Sequence, residues 1–271
     1  MRFLVLSHPH DPLAHFVATA FHQSFISLGH QSTIQIQYES GYDVCLVMYA
    51  HIWYNLPKDN TYKIAYNWET LLNKKWHKKI GRTLGQFNCI LEYSADNLKV
   101  HLPIKQLYCP LGYHSSFEVS TSRKDYDNVS FIGMITKRRK LIIQSIEQSL
   151  NLKVWCAHSK TDYVHSEKLG EKILNTLIHL NIHQNQEFSV FESQRVITML
   201  LNNRCFVVSD PSCDSPLISG EHYIETNDFP KTVKYYLEHP EEREQIAQQG
   251  YEFVKTKYRL EDHIAKCLRE I

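Results

Sequence analysis

The chain has 271 residues, of which 30 are lysine or arginine and 29 are aspartate or glutamate, so its formal charge is +1. A charge this close to zero excludes a protein whose main task is to wrap a polyanion through long-range attraction. Hydrophobic residues make up 43% of the sequence and aromatic residues 12%. These fractions exclude a disordered chain and, at this length, favour two modest folded domains.

Neither a membrane anchor nor a disulfide framework is predicted. The longest apolar run, Val44 to Ala50, is far shorter than the ~20 residues that span a bilayer. The amino terminus turns polar at Ser7, too early for a signal peptide. The seven cysteines include no C-x-x-C pair, and several lie in apolar runs as buried thiols do. We therefore expect a soluble cytoplasmic protein with reduced cysteines.

Short strands and helices are predicted to alternate along the first part of the chain. The strands are expected at residues 3–6, 32–37, 42–49, 63–66 and 89–93, and the helices at residues 14–28 and 71–84. Alternation of this kind favours a parallel sheet with right-handed crossovers. The polar segment 115–127 then has the composition of a linker.

The alternation starts again after the linker. Strands are expected at residues 129–132, 152–156, 178–183 and 205–209, and helices at residues 138–150, 167–177, 192–202, 229–238, 240–249 and 251–268, with Gly250 ending the last but one. We predict an α/β protein with two Rossmann-like parallel-sheet domains facing across a cleft. The small first domain would span residues 1–115, the second residues 116–255, and a helix in 256–271 would pack back on the first.

Ligands of such sheets bind outside the carboxyl ends of the strands, so the loops that follow strands are the candidate sites. Gly133 ends one strand, and Thr136-Lys137-Arg138-Arg139-Lys140 opens the next helix. Free N–H groups at a helix start, joined by cations, suit a diphosphate; a solvated basic turn is the alternative. The nine glycines form no G-x-G pair, which excludes a dinucleotide fingerprint and a P-loop.

Two further loops follow strands of the second half. One leads through Glu187 to Glu192 and Arg195, which are three residues apart and so share a helical face. They form either an exposed ion pair or a site in which the guanidinium meets phosphate and the carboxylate accepts sugar hydroxyls. The other, Ser209-Asp210-Pro211-Ser212, either lines the same site or is a plain turn.

Several segments carry a broad resemblance between residues 66 and 251. Among them are Tyr66-Asn67-Trp68-Glu69, Pro110-Leu111-Gly112-Tyr113-His114, Leu180-Asn181-Ile182-His183, Val207-Val208-Ser209-Asp210 and Gln249-Gly250-Tyr251. In order and spacing they resemble the GT-B glycosyltransferases of the group-1, spore-maturation-protein-like type. The resemblance implies a Leloir-type transferase (EC 2.4) that moves a sugar from a nucleotide-diphosphate sugar, with UDP-sugars as the expected donors, to a hydroxyl acceptor.

The resemblance also implies roles for the residues of the second domain, with no metal and no cofactor. Arg138 and Arg195 would contact the phosphates. Sugar or ribose would be surrounded by Asn181, His183, Glu187 and Glu192, and the donor site would be completed by Gly133, Lys137 and Ser209. The sequence departs from the pattern at Thr198, because many relatives carry a ribose-holding glutamate on that helix. A catalytically degenerate GT-B module that binds a nucleotide or glycan without turnover is therefore the rival interpretation.

The first domain would bind the acceptor and, in an inverting enzyme, supply a base. His10 and Asp11 lie in the loop after the first strand, and Glu69 follows a later strand. A histidine that titrates near neutral pH suits proton abstraction. Ordinary loop polarity is the alternative for each residue, and a retaining enzyme needs no such base.

Two patterns are typical of metal sites but are poorly placed here. Asp125-Tyr126-Asp127 has the D-x-D spacing of metal-dependent glycosyltransferases, yet it precedes an apolar strand instead of following one. His179 and His183 are four residues apart in a predicted strand, ~13 Å between backbone positions. We therefore predict no metal site.

A basic stripe, Lys74-Lys75-Trp76-His77-Lys78-Lys79, carries an aromatic residue between its cations. Such a stripe is either a solvated helix face or a contact for an anionic glycan, a membrane surface or nucleic acid. The expected acceptor is accordingly a glycan, with hydroxymethylated DNA as the second candidate.

Overall fold

The computed structural model describes residues 1–8, 12–49, 51, 55–119, 127–157, 167–184 and 189–271. They form two compact units. The first consists of Met1–Ser116 together with Arg259–Ile271, and the second of Phe117–Tyr258. No helix within these described ranges has the length and apolar character needed to cross a membrane. All seven cysteines are free thiols, five of them buried.

The first unit is built on a six-stranded parallel sheet in the order β2-β1-β3-β4-β5-β6. Its strands are β1 (Arg2–Leu6), β2 (Gln31–Gln35), β3 (Val44–Met48), β4 (Tyr62–Asn67), β5 (Cys89–Glu92) and β6 (Lys105–Tyr108). Helices α1 (Pro12–Ser27) and α2 (Lys74–Gly81) join them. All five residues of β3 are buried, as expected for a parallel strand covered on both faces.

The second unit has a five-stranded parallel sheet in the order β11-β10-β9-β7-β8. The strands are β7 (Asp127–Ile132), β8 (Val154–Ala157), β9 (Thr176–Asn181), β10 (Val207–Ser209) and β11 (Ile224–Glu225). The helices are α3 (Lys137–Leu150), α4 (Glu167–Leu174), α5 (Phe229–Glu238) and α6 (Pro240–Lys257). A last helix, α7 (Leu260–Leu268), returns to the first unit and packs on α1.

Each sheet contains one point at which the chain changes the side on which it adds strands. This point lies between β1 and β3 in the first unit and between β7 and β9 in the second. The crevice beyond the carboxyl ends of the two strands at such a point is where open α/β sheets bind ligands. The loops after these four strands are therefore the positions to inspect for function.

The segment expected to form a helix at residues 192–202 is not a regular α-helix. Gln194–Leu200 is a π-helix, and a 3₁₀ turn, Leu201–Asn203, follows it. The hydroxyl of Thr198 donates a hydrogen bond to the carbonyl of Gln194 within this segment. A side-chain bond of this kind loosens a helical ladder, and π-helical turns are common at functional sites.

Gly250 does not end a helix, contrary to the prediction. It lies inside α6, which runs on to Lys257, and the final helix begins only at Leu260. A Cβ at position 250 would collide with the backbone carbonyl of His222. The glycine is therefore explained by close packing between α6 and a neighbouring loop, and not by a turn.

Candidate functional site

The strands on either side of the second unit's switch point bring several predicted residues together. Gly133 directly follows β7, Asn181 ends β9 and Ser209 ends β10. The parallel register places Ser209 opposite Asn181, and Phe131 of β7 opposite Leu180. The carboxyl ends of these three strands are thus adjacent. We call the residues at this edge the switch-point cluster: Gly133, Arg138, Asn181, His183, Glu192, Arg195, Ser209 and Asp210.

Arg195 is held by hydrogen bonds at the centre of the switch-point cluster. Its Nη1 atom donates to Oδ1 of Asn181 over 2.7 Å, and the guanidinium forms an ion pair with Glu192. Asn181 in turn donates from Nδ2 to Oγ of Ser209 over 2.9 Å. Because the side chain of Arg195 is only 10% exposed, this chain of bonds fixes the direction of its charge.

The glycine at position 133 makes room for that guanidinium. Gly133 has a φ of +150°, and an added Cβ would lie 2.7 Å from Nη2 of Arg195 and 3.0 Å from the ring of Phe131. Side chains rarely tolerate this backbone conformation. Both the conformation and the space therefore require glycine, and the cation of Arg195 lies directly against the backbone that follows β7.

Arg138 forms an ion pair with a residue of the loop after β10 that was not among the predicted donor contacts. Its Nη1 and Nη2 atoms donate to the two carboxylate oxygens of Asp210 over 2.8 and 2.7 Å, and Nη1 also donates to the carbonyl of His183 over 3.0 Å. The bond to Asp210 raises the pKa of Arg138 above its ordinary value. The side chain remains 24% exposed, so Arg138 is positioned by Asp210 while part of its surface stays open.

Asp210 also holds the loop after β9. Its Oδ2 atom accepts the backbone N–H of His183 over 2.6 Å. One carboxylate thus ties the first turn of α3 to two strand ends. The sequence indicates this role, because Asp210 directly follows the apolar strand Val207–Ser209 and a buried aspartate nearly always has a partner.

The side chain of Arg139 is buried and bonds to groups of the protein itself. It is 4% exposed, and it donates to the carbonyl oxygens of Ile182 over 2.8 Å and Met134 over 2.9 Å. Its Nη2 atom lies 3.0 Å from Oε1 of Glu192. Glu192 is consequently shared between Arg139 and Arg195, and the expected pair of Glu192 with Arg195 is part of a larger network.

The charges of the network do not cancel. Arg138, Arg139 and Arg195 contribute three positive charges, and Glu192 and Asp210 contribute two negative charges, which leaves one positive charge. Lys137, the first residue of α3, adds an exposed cation, and the first turn of that helix has no acidic residue. The amino end of a helix dipole carries partial positive charge as well. The arrangement can therefore stabilise an anion.

Two histidines of the second unit, His183 at this edge and His179 inside β9, differ in their partners. Burial lowers the pKa of His183, and the nearby Arg195 and Arg138 lower it further against the opposing carboxylates. Its Nε2 atom lies 3.2 Å from Oγ of Ser212, so a neutral ring can exchange a hydrogen bond there. His179 uses one ring nitrogen with Oγ of Ser130 at 2.8 Å and the other with the carbonyl of Ile173 at 2.9 Å, which leaves it unsuited to ligate a metal.

Three of the predicted residues belong to segments that the structure does not describe. Glu187 of the donor set lies outside the described residues, as do His10 and Asp11 of the base candidates. Asp125 of the D-x-D pattern is also outside them.

Glu69, the remaining base candidate, follows β4 in the first unit. Its backbone N–H donates to Oδ1 of Asn67 over 2.9 Å, and its carbonyl accepts from the side-chain amides of Asn67 at 3.0 Å and Asn97 at 2.9 Å. Burial raises the pKa of the Glu69 carboxyl to about 7, with Lys79 and Lys75 acting in the opposite direction. A carboxyl that titrates near neutral pH can act as a general base or acid.

The two asparagines that hold the Glu69 loop also bind a buried acid, Glu92, at the end of β5. Both side-chain amides donate to its Oε2 atom over 2.7 Å. Burial raises the pKa of Glu92 to about 8. Its Oε1 atom has no hydrogen-bond partner among the described residues. Glu92 is thus a supporting residue that was not predicted, although a glutamate within Cys89-Ile90-Leu91-Glu92 is a visible irregularity in an apolar strand.

Comparisons with known proteins bear on the family and on the fold. Residues 138–269 match the family model described as glycosyl transferase-like. Among curated proteins, no sequence match was found. An alpha-glucosyltransferase in complex with UDP and a 13-mer DNA containing an HMU base superposes with a TM-score of 0.64 at 12% identity, covering 99% of this chain and 98% of its own.

Two further solved structures have the same fold. Anabaena HepE in complex with UDP-glucose has a TM-score of 0.65 at 8% identity and complete coverage of both chains. An alpha1,3-fucosyltransferase with GDP has a TM-score of 0.57 at 10% identity, covering 100% of this chain and 90% of its own. The predicted α/β fold with two Rossmann-like parallel sheets is confirmed. The chain is thus similar to GT-B glycosyltransferases: residues 138–269 match a glycosyl transferase-like family model, and the fold is shared along the whole chain.

Proposed function

We propose that the protein transfers a sugar from a nucleotide-diphosphate sugar, with a UDP-sugar as the expected donor, to a hydroxyl group of its acceptor without a metal ion. The observation that carries this proposal is the placement of Arg195 and Arg138 at the switch point of the second sheet. Cations fixed at the ligand-binding edge of such a sheet suit a diphosphate. Solved structures of the same fold contain UDP, UDP-glucose or GDP.

The proposed donor site assigns roles by chemistry. Arg138, Arg195 and the amino end of α3 with Lys137 would contact the phosphates, because they supply positive charge and N–H groups. Sugar or ribose hydroxyls would bond to the polar groups of Asn181, His183, Glu187, Glu192 and Ser209. Gly133 would leave room for the guanidinium of Arg195 that contacts the diphosphate.

At the anomeric carbon, the proposed reaction forms one bond and breaks one bond. The acceptor oxygen forms a bond to the anomeric carbon of the sugar, and the bond from that carbon to the diphosphate oxygen breaks. The electron pair of the broken bond leaves with the diphosphate, whose growing negative charge the arginines stabilise more in the transition state than in the ground state. The hydroxyl proton passes to a base in an inverting enzyme, or to the departing diphosphate in a retaining enzyme. The candidates for the base are Glu69, His10 and Asp11, of which the structure describes only Glu69.

One observation favours a second candidate, a GT-B module that binds without turnover. Thr198 is completely buried and its hydroxyl bonds to the carbonyl of Gln194. Its position therefore supplies no carboxylate to a ribose. Turnover distinguishes the two candidates, since a transferase slowly releases its nucleotide even when water is the acceptor.

The experiment combines binding with turnover. We expect calorimetry to detect UDP binding to the wild-type chain, and we expect UDP to accumulate from UDP-glucose in water. Arg195→Ala should weaken UDP binding by about 1.5 to 3 kcal/mol, as the loss of a charge-assisted bond does. Arg269→Ala, which removes an exposed guanidinium whose Nε atom donates to the carbonyl of Ala265 in α7, is the matched control. Binding without UDP release would favour the second candidate, and equal UDP affinity in all three chains would contradict the site.

A further inference from the structure

Aromatic rings gather at the carboxyl end of the first unit's sheet. Tyr49 directly follows β3 and Trp68 directly follows β4, and their ring centroids lie 4.1 Å apart, edge to face. His51 places its ring 5.7 Å from Tyr49 and 5.0 Å from Trp76 of α2. The rings of Tyr49, Trp68 and Trp76 are only half-buried. We call these three residues and His51 the aromatic cluster.

The position of the cluster indicates a ligand site more than a core. The switch point of this sheet lies between β1 and β3, and Tyr49 is the first residue beyond β3. His8, which follows β1, has its ring 6.3 Å from that of Tyr49. Tyr49 has a φ of +53°, a conformation that is unfavourable for a bulky side chain and that concentrates at binding and active sites.

Two lysines of α2 lie over the same cluster. The Nζ atoms of Lys75 and Lys79 are 5.1 and 4.7 Å from the centroid of the Trp76 ring. The eight residues of α2 include four lysines and no acid, so the helix itself provides no compensating charge. Burial and the charge of Lys79 lower the pKa of His51 to about 4, which leaves that ring neutral near pH 7. The positive charge at this edge therefore comes from the lysines.

The same lysines act on Glu69. Their charges oppose the rise in the pKa of its carboxyl, and Trp68 of the aromatic cluster directly precedes Glu69 in the chain, so the cluster lies near the candidate base. A ligand that rests on the rings and pairs with the lysines would thus lie near a group able to accept a proton.

This inference rests on the proposed function and names its acceptor. We propose that the aromatic cluster, with Lys75 and Lys79, binds a negatively charged saccharide as the acceptor. The apolar C–H faces of sugar rings pack on the negative faces of aromatic rings, while lysines pair with carboxylate or phosphate groups on the sugar. A nucleic acid is the less suitable ligand, because DNA binding requires many phosphate contacts and the whole chain carries a formal charge of only +1.

The test compares one saccharide with and without its charge. The probes are the hexamer of galacturonic acid and its methyl ester, titrated into the full chain by calorimetry. We expect the acid to bind about tenfold more tightly than the ester, as two partly exposed ion pairs allow. Added salt should reduce the difference, because it screens exposed charges.

Charge variants assign the difference to this edge. Lys75→Gln with Lys79→Gln should reduce the preference for the acid to less than about twofold. Lys231→Gln with Lys234→Gln is the matched control, since these two exposed lysines are also neighbours on one helix, α5, and the preference should remain. Trp76→Leu should weaken binding of the ester as well as the acid, because it removes a stacking surface.

Four outcomes would overturn the inference. They are equal affinity for acid and ester, no binding of either, the same loss in the α5 control, and tighter binding of a short duplex DNA than of the acid at about 0.15 M salt. The titration of UDP into the same chain separates this failure from that of the proposed function. If UDP binds while the acid shows no preference, only the acceptor assignment fails, whereas absence of UDP binding removes the proposed function itself.

Discussion

The guanidinium of Arg195 occupies the space that a side chain at position 133 would need, with its Nη2 atom 2.7 Å from an ideal Cβ on Gly133. The cation at the centre of the switch-point cluster is therefore positioned by the absence of a side chain as well as by Asn181 and Glu192. Any larger residue at position 133 must either move Arg195 or distort the end of β7.

The first prediction concerns this contact. Gly133→Ala should destabilise the protein by about 1 to 3 kcal/mol, because alanine is strained at a φ of +150° and displaces Arg195. It should also weaken UDP binding by about tenfold, as the loss of one directed charge-assisted bond does. Chemical denaturation and calorimetry measure the two effects. Gly85→Ala is the control, since nothing lies within 4 Å of its Cβ position, and a loss of UDP affinity there would refute the explanation.

The second prediction concerns Asp210. Asp210→Asn removes the negative charge that orients Arg138. It also weakens the hydrogen bond that the side chain at position 210 accepts from the backbone N–H of His183. We expect a loss of about 1 to 3 kcal/mol in unfolding free energy, because Arg138 loses a carboxylate but stays partly solvated. UDP binding should become more dependent on salt, since a mobile cation replaces a fixed one. Asp262→Asn on α7 is an exposed-acid control. Unchanged stability in Asp210→Asn would show that the pair does not hold the loop.

The third prediction is a pH dependence from Glu69. Its pKa is raised to about 7, so the ionised, proton-accepting form grows as pH rises through that value. If Glu69 is the base, kcat/KM should increase with pH and level off above about 7. Glu69→Gln should lower kcat and remove this rise. Lys79→Gln should move the midpoint upward, because Lys79 favours the ionised carboxyl. A profile of unchanged midpoint in Lys79→Gln, measured with the same acceptor, would exclude Glu69 as the titrating group.

The fourth prediction concerns stability and Glu92. Its folded pKa is raised to about 8 from an ordinary value of 4.5, so the folded state binds the proton more tightly than the unfolded state does. The stabilisation is fully present below pH 4.5 and is lost as pH rises through about 8. The free energy of unfolding of Glu92→Gln should therefore increase, relative to that of the wild type, by on the order of 2 to 4 kcal/mol between pH 5 and pH 8. Denaturation curves at several pH values measure the gain, and the exposed Glu244→Gln should show none.

Local patterns predicted the order of elements well where burial follows directly from sequence. The apolar run of β3 and the alternation of strands with helices were sufficient for two parallel sheets. They were insufficient for β6 and for the two-residue strand β11, because edge strands carry a weak apolar signal. Gly250 was wrongly assigned to a helix end, because the contact that requires a glycine there, with the backbone carbonyl of His222, is distant in the sequence.

In the candidate site, too, local features were predicted and contacts between distant segments were not. The loops after β7, β9 and β10 were predicted because ligand sites follow strand ends. The partners inside them were not, because Arg138 and Asp210 are 72 residues apart, and Arg139 reaches Glu192 across 53 residues. Side-chain pairing over such separations depends on the register of the sheet.

By itself the sequence determined that the protein has two α/β sheets and that its cations follow particular strands, because periodicity and strand ends are local properties. Only the tertiary structure decided which carboxylate each arginine meets, why position 133 must be glycine, and that burial raises the pKa of Glu69 to about 7. The physical reason is that these properties arise from distances and desolvation between segments that are brought together only by folding.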